Sequence, residues 1–251
     1  MTSGPCGLLV TTMPDGRQLS PLTPAFILHS RPYRDTSVIA EFLTADAGRL
    51  SVVIRGARGS KPRHRGLLQP FVPALVAWAG RSELKSLRQI EFPSRPLTLT
   101  GEALITGMYI NELLVRLVGK FEPVPKTFAA YALLMAQLEA GASEADLRRF
   151  EIGLLSELGY GLTLARELRT GAAIAPDRHY RLEDGEGFMP AQEGIPGAHL
   201  LAIAADDYEQ TAVLISAREI LRLALSHRLG DKPLHSRALM RRVRNVQKAS
   251  G

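Results

Sequence analysis

Ser37-Val-Ile-Ala-Glu-Phe-Leu-Thr-Ala-Asp46-Ala-Gly48-Arg-Leu-Ser-Val-Val-Ile54 is the stretch that decides the fold. Residues 37–44 and 48–54 are short runs rich in Val, Ile, Leu and Phe, as strands require. Between them, Asp46-Ala47-Gly48 is a hairpin signal, with Gly48 free to take positive φ. Similar runs lie on either side, at 25–30, 72–79 and 84–92, and Gly80-Arg81-Ser82 makes a turn between the last two. Short strands packed this densely, from Pro24 to about Leu99 with one long loop, suit a closed or nearly closed barrel. The five-stranded OB barrel is the commonest such solution at this size. On pattern alone an SH3-like barrel is the alternative.

Pro93 and Pro96 end the strand region, and from Glu102 the period becomes helical. Leu104, Ile105, Met108, Ile110, Leu113, Leu114 and Leu117 repeat at three and four residues, predicting an amphipathic helix. Pro123 and Pro125 break it. A second helix is expected over 127–140, stopped by Gly141. A third is expected over 144–158, opened by Ser143 with Asp146 in a capping-box arrangement and closed by Gly159 and Gly161. Residues 170–198 are rich in Gly, Pro and acids and read as a loop or small irregular hairpin. A long helix over 206–229 and a shorter one over 235–246 complete the chain. The expected fold is α+β: a flexible tail over 1–20, a five-stranded OB-type barrel domain over 21–98, and a helical domain over 99–251 with an irregular insert at about 165–200.

At 251 residues the chain is too long for one small barrel and suits two compact units. A 45% hydrophobic content excludes a disordered chain. No apolar run is long enough to span a membrane, and the first 20 residues do not read as a secretory signal. The lone cysteine, Cys6, makes neither an intrachain disulfide nor a cysteine-based zinc site. A reducing, cytoplasmic setting fits. The net charge is +6, and its distribution is uneven: residues 1–100 carry +7 and residues 101–251 carry −1. Concentrated positive charge attracts a polyanion and binds it by releasing condensed counterions.

Arg55-Gly-Ala-Arg58-Gly-Ser-Lys61-Pro-Arg63-His-Arg65 holds five basic residues and no acid, with glycines and Pro62 that keep it from helix or strand. Such a loop can meet phosphates with arginine forks and backbone N–H groups, without reading base sequence. Tyr33, Arg34, Phe71, Trp78, Arg81, Lys85 and Arg88 form a second set, because bases stack on exposed aromatic faces in OB grooves. Phe71 and Trp78 are expected mainly in the core, and Tyr33, in a Pro-bearing turn, at the surface. In the helical half, Leu147, Phe150, Leu154, Leu155 and Leu158 make an apolar face next to Arg148. An arginine beside an apolar groove is the chemistry that captures the C-terminal carboxylate of a hydrophobic peptide. Lys232, Arg237, Arg241, Arg242, Arg244 and Lys248 form a basic end that can extend a DNA track. No phosphate loop, HExxH or nucleophile elbow appears. No cofactor, metal or enzymatic activity is therefore expected. The rival readings are a protein-interaction adaptor that does not bind DNA and, more remotely, a metal-dependent nuclease.

Several of these runs together resemble the RecO family. They are Phe26-Ile-Leu-His-Ser-Arg-Pro-Tyr-Arg-Asp-Thr-Ser37, Gly48-Arg-Leu50 with Arg55-Gly-Ala-Arg58 and Arg65-Gly-Leu-Leu-Gln-Pro-Phe71, Tyr109-Ile-Asn-Glu-Leu-Leu114, Leu147-Arg-Arg-Phe-Glu151 with Leu158-Gly-Tyr-Gly161, and Leu229-Gly-Asp-Lys-Pro-Leu-His-Ser-Arg237. The resemblance implies an OB domain followed by a helical domain. It also implies binding to single- and double-stranded DNA and annealing of complementary strands. With RecR, such a protein helps to load RecA onto DNA coated by single-strand binding protein. It further implies a site for the tail of that coating protein, with Arg148 at the peptide carboxylate and Leu158 in the apolar pocket. Many members carry a four-cysteine zinc module after the Gly-Tyr-Gly motif. Residues 165–200 hold no cysteine here, and Glu167 stands about where the first is expected, so the chain resembles the zinc-free variety. Residues 1–20 match nothing in this pattern.

Overall fold

The computed structural model describes residues 11–12, 18–58, 68–183, 185–230, 234–236 and 238–239. The chain divides into two compact units, Met1–Phe128 and Ala129–Gly251. Among the described residues no helix is long and apolar enough to cross a membrane.

The first unit holds β1 (Thr11–Thr12), β2 (Gln18–Leu19), β3 (Thr23–Tyr33), β4 (Ser37–Thr44), β5 (Gly48–Ile54), β6 (Pro73–Ala79), β7 (Leu84–Glu91) and α1 (Gly101–Leu117). Strands β6, β3, β4, β5 and β7 lie side by side, and β7 pairs back onto β6, which closes a five-stranded OB-type barrel. All neighbours are antiparallel except β5 and β7. Strand alternation turns Ala25, Ile27, Ala40, Phe42, Leu50, Val52, Ala74, Val76 and Ile90 into the barrel. Gly48 has φ +65, and a Cβ there would sit 1.8 Å from the Glu122 carbonyl oxygen, so no side chain fits. Outside the barrel, α1 lies against β3, where the Asn111 amide donates to the Leu28 carbonyl at 2.8 Å.

Phe71 is buried at 5% exposure, as expected of a core aromatic. Trp78 is half-buried against the barrel interior. Tyr33 is half-buried rather than fully exposed. The expected tail also ends sooner than its composition suggests. Leu19 pairs with Ala79, and Ser20 exchanges hydrogen bonds with the Trp78 backbone, both at 2.9 Å.

Helix α2 (Pro125–Ala140) runs from the first unit into the second. The second unit continues with α3 (Glu144–Glu157), β8 (Thr163–Glu167), β9 (His179–Glu183), β10 (Gly187–Ala191), β11 (Ile195–Pro196), α4 (Gly197–Ala204) and α5 (Thr211–Leu229). The capping box at Ser143 and Asp146 forms as its spacing predicts.

The stretch expected to be irregular is ordered. Strands β11, β9, β10 and β8 make a four-stranded sheet, and α4 follows it. Its strands are too short and too Gly- and Pro-rich to announce themselves by period. Burial of Tyr180, Phe188 and Ile195 in one core with Leu200, Ile203, Val213 and Ile220 fixes them instead. The long helix starts at Thr211, not at Asp206. Asp206 adopts φ +59, and the Asp207 carboxylate accepts from the Glu209 N–H in a local turn that helix geometry would break. Of the last expected helix only four residues, His235, Ser236, Ala238 and Leu239, are described, and they are helical.

Candidate nucleic-acid interface

One end of the barrel gathers the positive charge. The β3–β4 turn carries Arg34, in a left-handed conformation at φ +51, with its guanidinium 5.2 Å from the centre of the Tyr33 ring. Ile54 pairs with Val38 at the start of β4, so Arg55 emerges beside this turn. The Arg58 N–H donates to the Thr36 carbonyl at 2.8 Å and ties the start of the basic loop to the same turn. Since β7 runs parallel to β5, it carries Arg88 toward this end as well. The spacing of the sequence does not single out Arg31. Past a bulge in β3, however, the register places Arg31 opposite Ile39 and Tyr33 opposite Ser37, which turns both toward the outside. Alternation of Arg31 with Tyr33 was the signal that could have found it.

Arg31, Arg34, Arg55, Arg58 and Arg88 are exposed. Among the described residues, none of them forms an ion pair with a carboxylate. Asp35, in the same turn, is the acid nearest in sequence. Several arginines of the second unit are engaged instead, while Arg178 and Arg222 there are also exposed without a carboxylate partner among the described residues. Arg149 holds Asp206 and Asp146, Arg218 holds Glu144, and Arg228 holds Glu186. The hydrogen bonds they donate to Asp206 and Glu144 hold the Arg149 and Arg218 guanidiniums above their ordinary pKa. Charges paired in this way have little field left for a ligand; the barrel-end charges keep theirs.

Arg81 and Lys85 do not join this cluster. They lie at the opposite end of β7, where Lys85 donates to the Gly80 carbonyl at 3.1 Å and sits 4.6 Å from the Phe121 ring centre. Beside them Lys120 pairs with Glu83 at 2.7 Å, and the hydrogen bond from Lys120 holds that carboxyl below its usual range. Lys61, Arg63 and Arg65 lie outside the described residues, as do Lys232, Arg237 and Arg241.

Arg148 and Leu158 both belong to the α3 region but are well separated. Ten residues of helix span ~15 Å. Arg148 is buried, with its guanidinium 3.1 Å from the buried carboxylate of Glu151. Its Nε has no hydrogen-bond partner among the described residues. Leu158 is half-buried at the helix C-cap. Glu167 is buried and accepts a hydrogen bond from the Thr170 hydroxyl at 2.6 Å.

Comparison with known proteins bears on both units. The family model for the N-terminal part of recombination protein O matches residues 20–94, and the one for its C-terminal part matches residues 99–238. The chain belongs to the RecO family. A relative from Coxiella burnetii, named DNA repair protein RecO, is 41% identical over 224 residues, which cover 87% of this chain and 97% of the relative. A protein of the same name from Nitrosospira multiformis is 39% identical over 238 residues, covering 92% and 98%. One from Thiobacillus denitrificans is 40% identical over 232 residues, covering 87% and 90%. The RecO family models meet between residues 94 and 99, ahead of α1, whereas α1 packs with the barrel in the first compact unit.

Proposed function

We propose that this RecO-family chain is a mediator of DNA repair and homologous recombination that performs no covalent chemistry. It binds single- and double-stranded DNA, anneals complementary strands and, with RecR, helps to load RecA onto DNA coated by single-strand binding protein. The observation that carries this reading is the set of uncompensated arginines at one end of the barrel, Arg31, Arg34, Arg55, Arg58 and Arg88. Guanidinium forks without carboxylate partners neutralise phosphates whatever the base sequence. Tyr33 offers one aromatic face for stacking. Lys61, Arg63 and Arg65, which follow Arg58 in the sequence, and Lys232, Arg237 and Arg241 supply further phosphate contacts. Neutralising two strands at once lowers their mutual repulsion and lets complementary bases meet. The barrel domain of residues 21–98 carries this activity, and the part from residue 99 onward docks partners. This reading places the protein in the cytoplasm, at the nucleoid.

The same reading gives Arg148 and Leu158 to the tail of the coating protein. The buried Nε of Arg148 is the donor that supports it. Because Glu151 already holds this guanidinium, the peptide carboxylate must share or displace it.

A strand-annealing assay with dye-labelled complementary oligonucleotides, bare and coated, tests the proposal. Faster annealing in both forms is expected, with loss of the rate enhancement when Arg34, Arg55 and Arg58 become alanine. Annealing no faster than spontaneous pairing overturns the mediator reading.

A further inference from the structure

OB barrels take oligonucleotides across the outer face of their second and third strands, between the first and the fourth inter-strand loops. Here those strands are β4 and β5, and the loops are the β3–β4 turn and the β6–β7 turn. The outward row on this face runs Ser37, Ile39, Glu41, Leu43 on β4 and Arg49, Ser51, Val53 on β5. Its two halves differ.

The half next to the β6–β7 turn is filled by the chain itself. Residues 118–122, just past α1, run along β5 as a strap. The Arg49 Nε donates to the Val118 carbonyl at 2.9 Å, and the Phe121 N–H donates to the Arg49 carbonyl at 2.9 Å. Lys120 bridges in parallel to Arg49 and pairs with Glu83 in the β6–β7 turn. Phe121 lies under Lys85. Leu43, opposite Arg49 on β4, is fully buried, and Gly48 has no space for a Cβ against Glu122. The guanidinium of Arg49 is spent on Glu41 at 3.0 Å, whose other oxygen accepts from the Ser51 hydroxyl. Of the described cations on this half, Arg49, Lys85 and Lys120 are engaged by the chain, and Arg81 is exposed without a carboxylate partner. In the half next to the β3–β4 turn Ile39 is buried as well, at 5% exposure, and the difference lies in the rim, where Arg31, Arg34, Arg55 and Arg58 are exposed beside half-buried Tyr33.

We propose that the strap of residues 118–122 occupies half of the barrel's nucleic-acid groove, so that a single strand is held only in the half beside the β3–β4 turn, with Arg31 as a phosphate contact. This rests on the DNA-binding reading above. Contact is confined to a short strand segment, at the lower end of the ~4–16 nucleotides that OB folds cover. Stacking is limited to Tyr33, so binding is electrostatic and indifferent to base sequence. Arg81 and Lys85 lie on the strapped side and stay off the strand.

The test places the photo-crosslinker p-benzoylphenylalanine in the full-length chain, once at Thr36 and once at Ser82. Both are exposed turn positions, one at each end of the groove. Each variant is irradiated with oligothymidylate after filter binding has confirmed that it holds the oligonucleotide. Adduct from Thr36 with only background from Ser82 is expected. In a parallel arm, Arg31→Ala lowers the affinity and flattens its salt dependence by one phosphate contact. Adduct from Ser82 comparable to that from Thr36, or adduct from neither position in protein that binds, overturns the half-groove. An unaltered salt slope in Arg31→Ala overturns the assignment of Arg31. Failure of the unsubstituted protein to bind oligothymidylate at all removes the DNA reading itself, and this inference with it.

Discussion

Replacing Arg34 and Arg58 together by alanine isolates the barrel-end charge from everything else in the chain. Each phosphate neutralised on a single strand contributes about 0.7 to the slope of log affinity against log salt. Removing two such contacts lowers the slope by about 1.4, whatever the number of contacts made elsewhere. Between about 50 and about 200 mM salt, the unsubstituted protein then loses roughly sevenfold more affinity than the double variant does. Fluorescence anisotropy of a labelled oligothymidylate across that range reads the slope directly. The structural cost is small, because both side chains are exposed and neither holds a carboxylate among the described residues; only the contact of Arg34 with Tyr33 is lost. The control is Arg169→Ala with Arg218→Ala. It lowers the net charge by the same amount, but at arginines that face Glu183 and Glu144 in the second unit. Equal flattening in both double variants means that net charge, not a site, attracts the strand. An unchanged slope in Arg34→Ala/Arg58→Ala refutes the reasoning outright.

Further outcomes concern stability and the partner site. Gly48→Ala introduces a Cβ against the Glu122 backbone at a residue with φ +65. It should destabilise the first unit by about 1–3 kcal/mol, and urea unfolding checks this. Phe42→Ala empties the centre of the barrel, where the ring is fully buried. A loss of about 3–5 kcal/mol is expected by the same measurement. Ser143→Ala removes the cap of α3 and should cost about 1 kcal/mol. The Ser143 hydroxyl holds the Asp146 carboxyl below its ordinary value of 3.8. A depressed folded pKa contributes stability that is full above the unfolded value and lost as pH falls through the folded one. The contribution is thus present at neutral pH and disappears on acidification below about 3.8, a dependence that Asp146→Asn abolishes in acid titrations followed by circular dichroism. Arg148→Met with Glu151→Leu removes both buried charges together, and so avoids stranding one of them. It should abolish binding of the coating protein's tail peptide in a calorimetric titration while leaving oligonucleotide affinity unchanged. Loss of both, or of neither, separates Arg148 from that peptide.

The sequence by itself determined the barrel. Residues 37–54 announce a hairpin because strand alternation, β-branched residues and a glycine turn are all local properties. The amphipathic period of α1 and the capping box of α3 are legible for the same reason, and so is the concentration of positive charge before residue 100. What tertiary structure decided depends on residues far apart in the chain. The sheet of β8 to β11 exists because Tyr180 and Phe188 find a common core with α4 and α5, which no five-residue window reveals. The start of α5 was set by the φ of Asp206 rather than by the helical period before it. Of the expected contact residues, Tyr33, Arg34, Arg55 and Arg58 meet at one barrel end, because register and a bulge align β3, β4 and β5 there. The same alignment adds Arg31. Arg81 and Lys85 fall at the other end of β7, where the strap of residues 118–122 has been laid across the groove. A charge is readable from its letter, but whether it is free to meet a phosphate depends on which carboxylate or carbonyl the fold brings beside it.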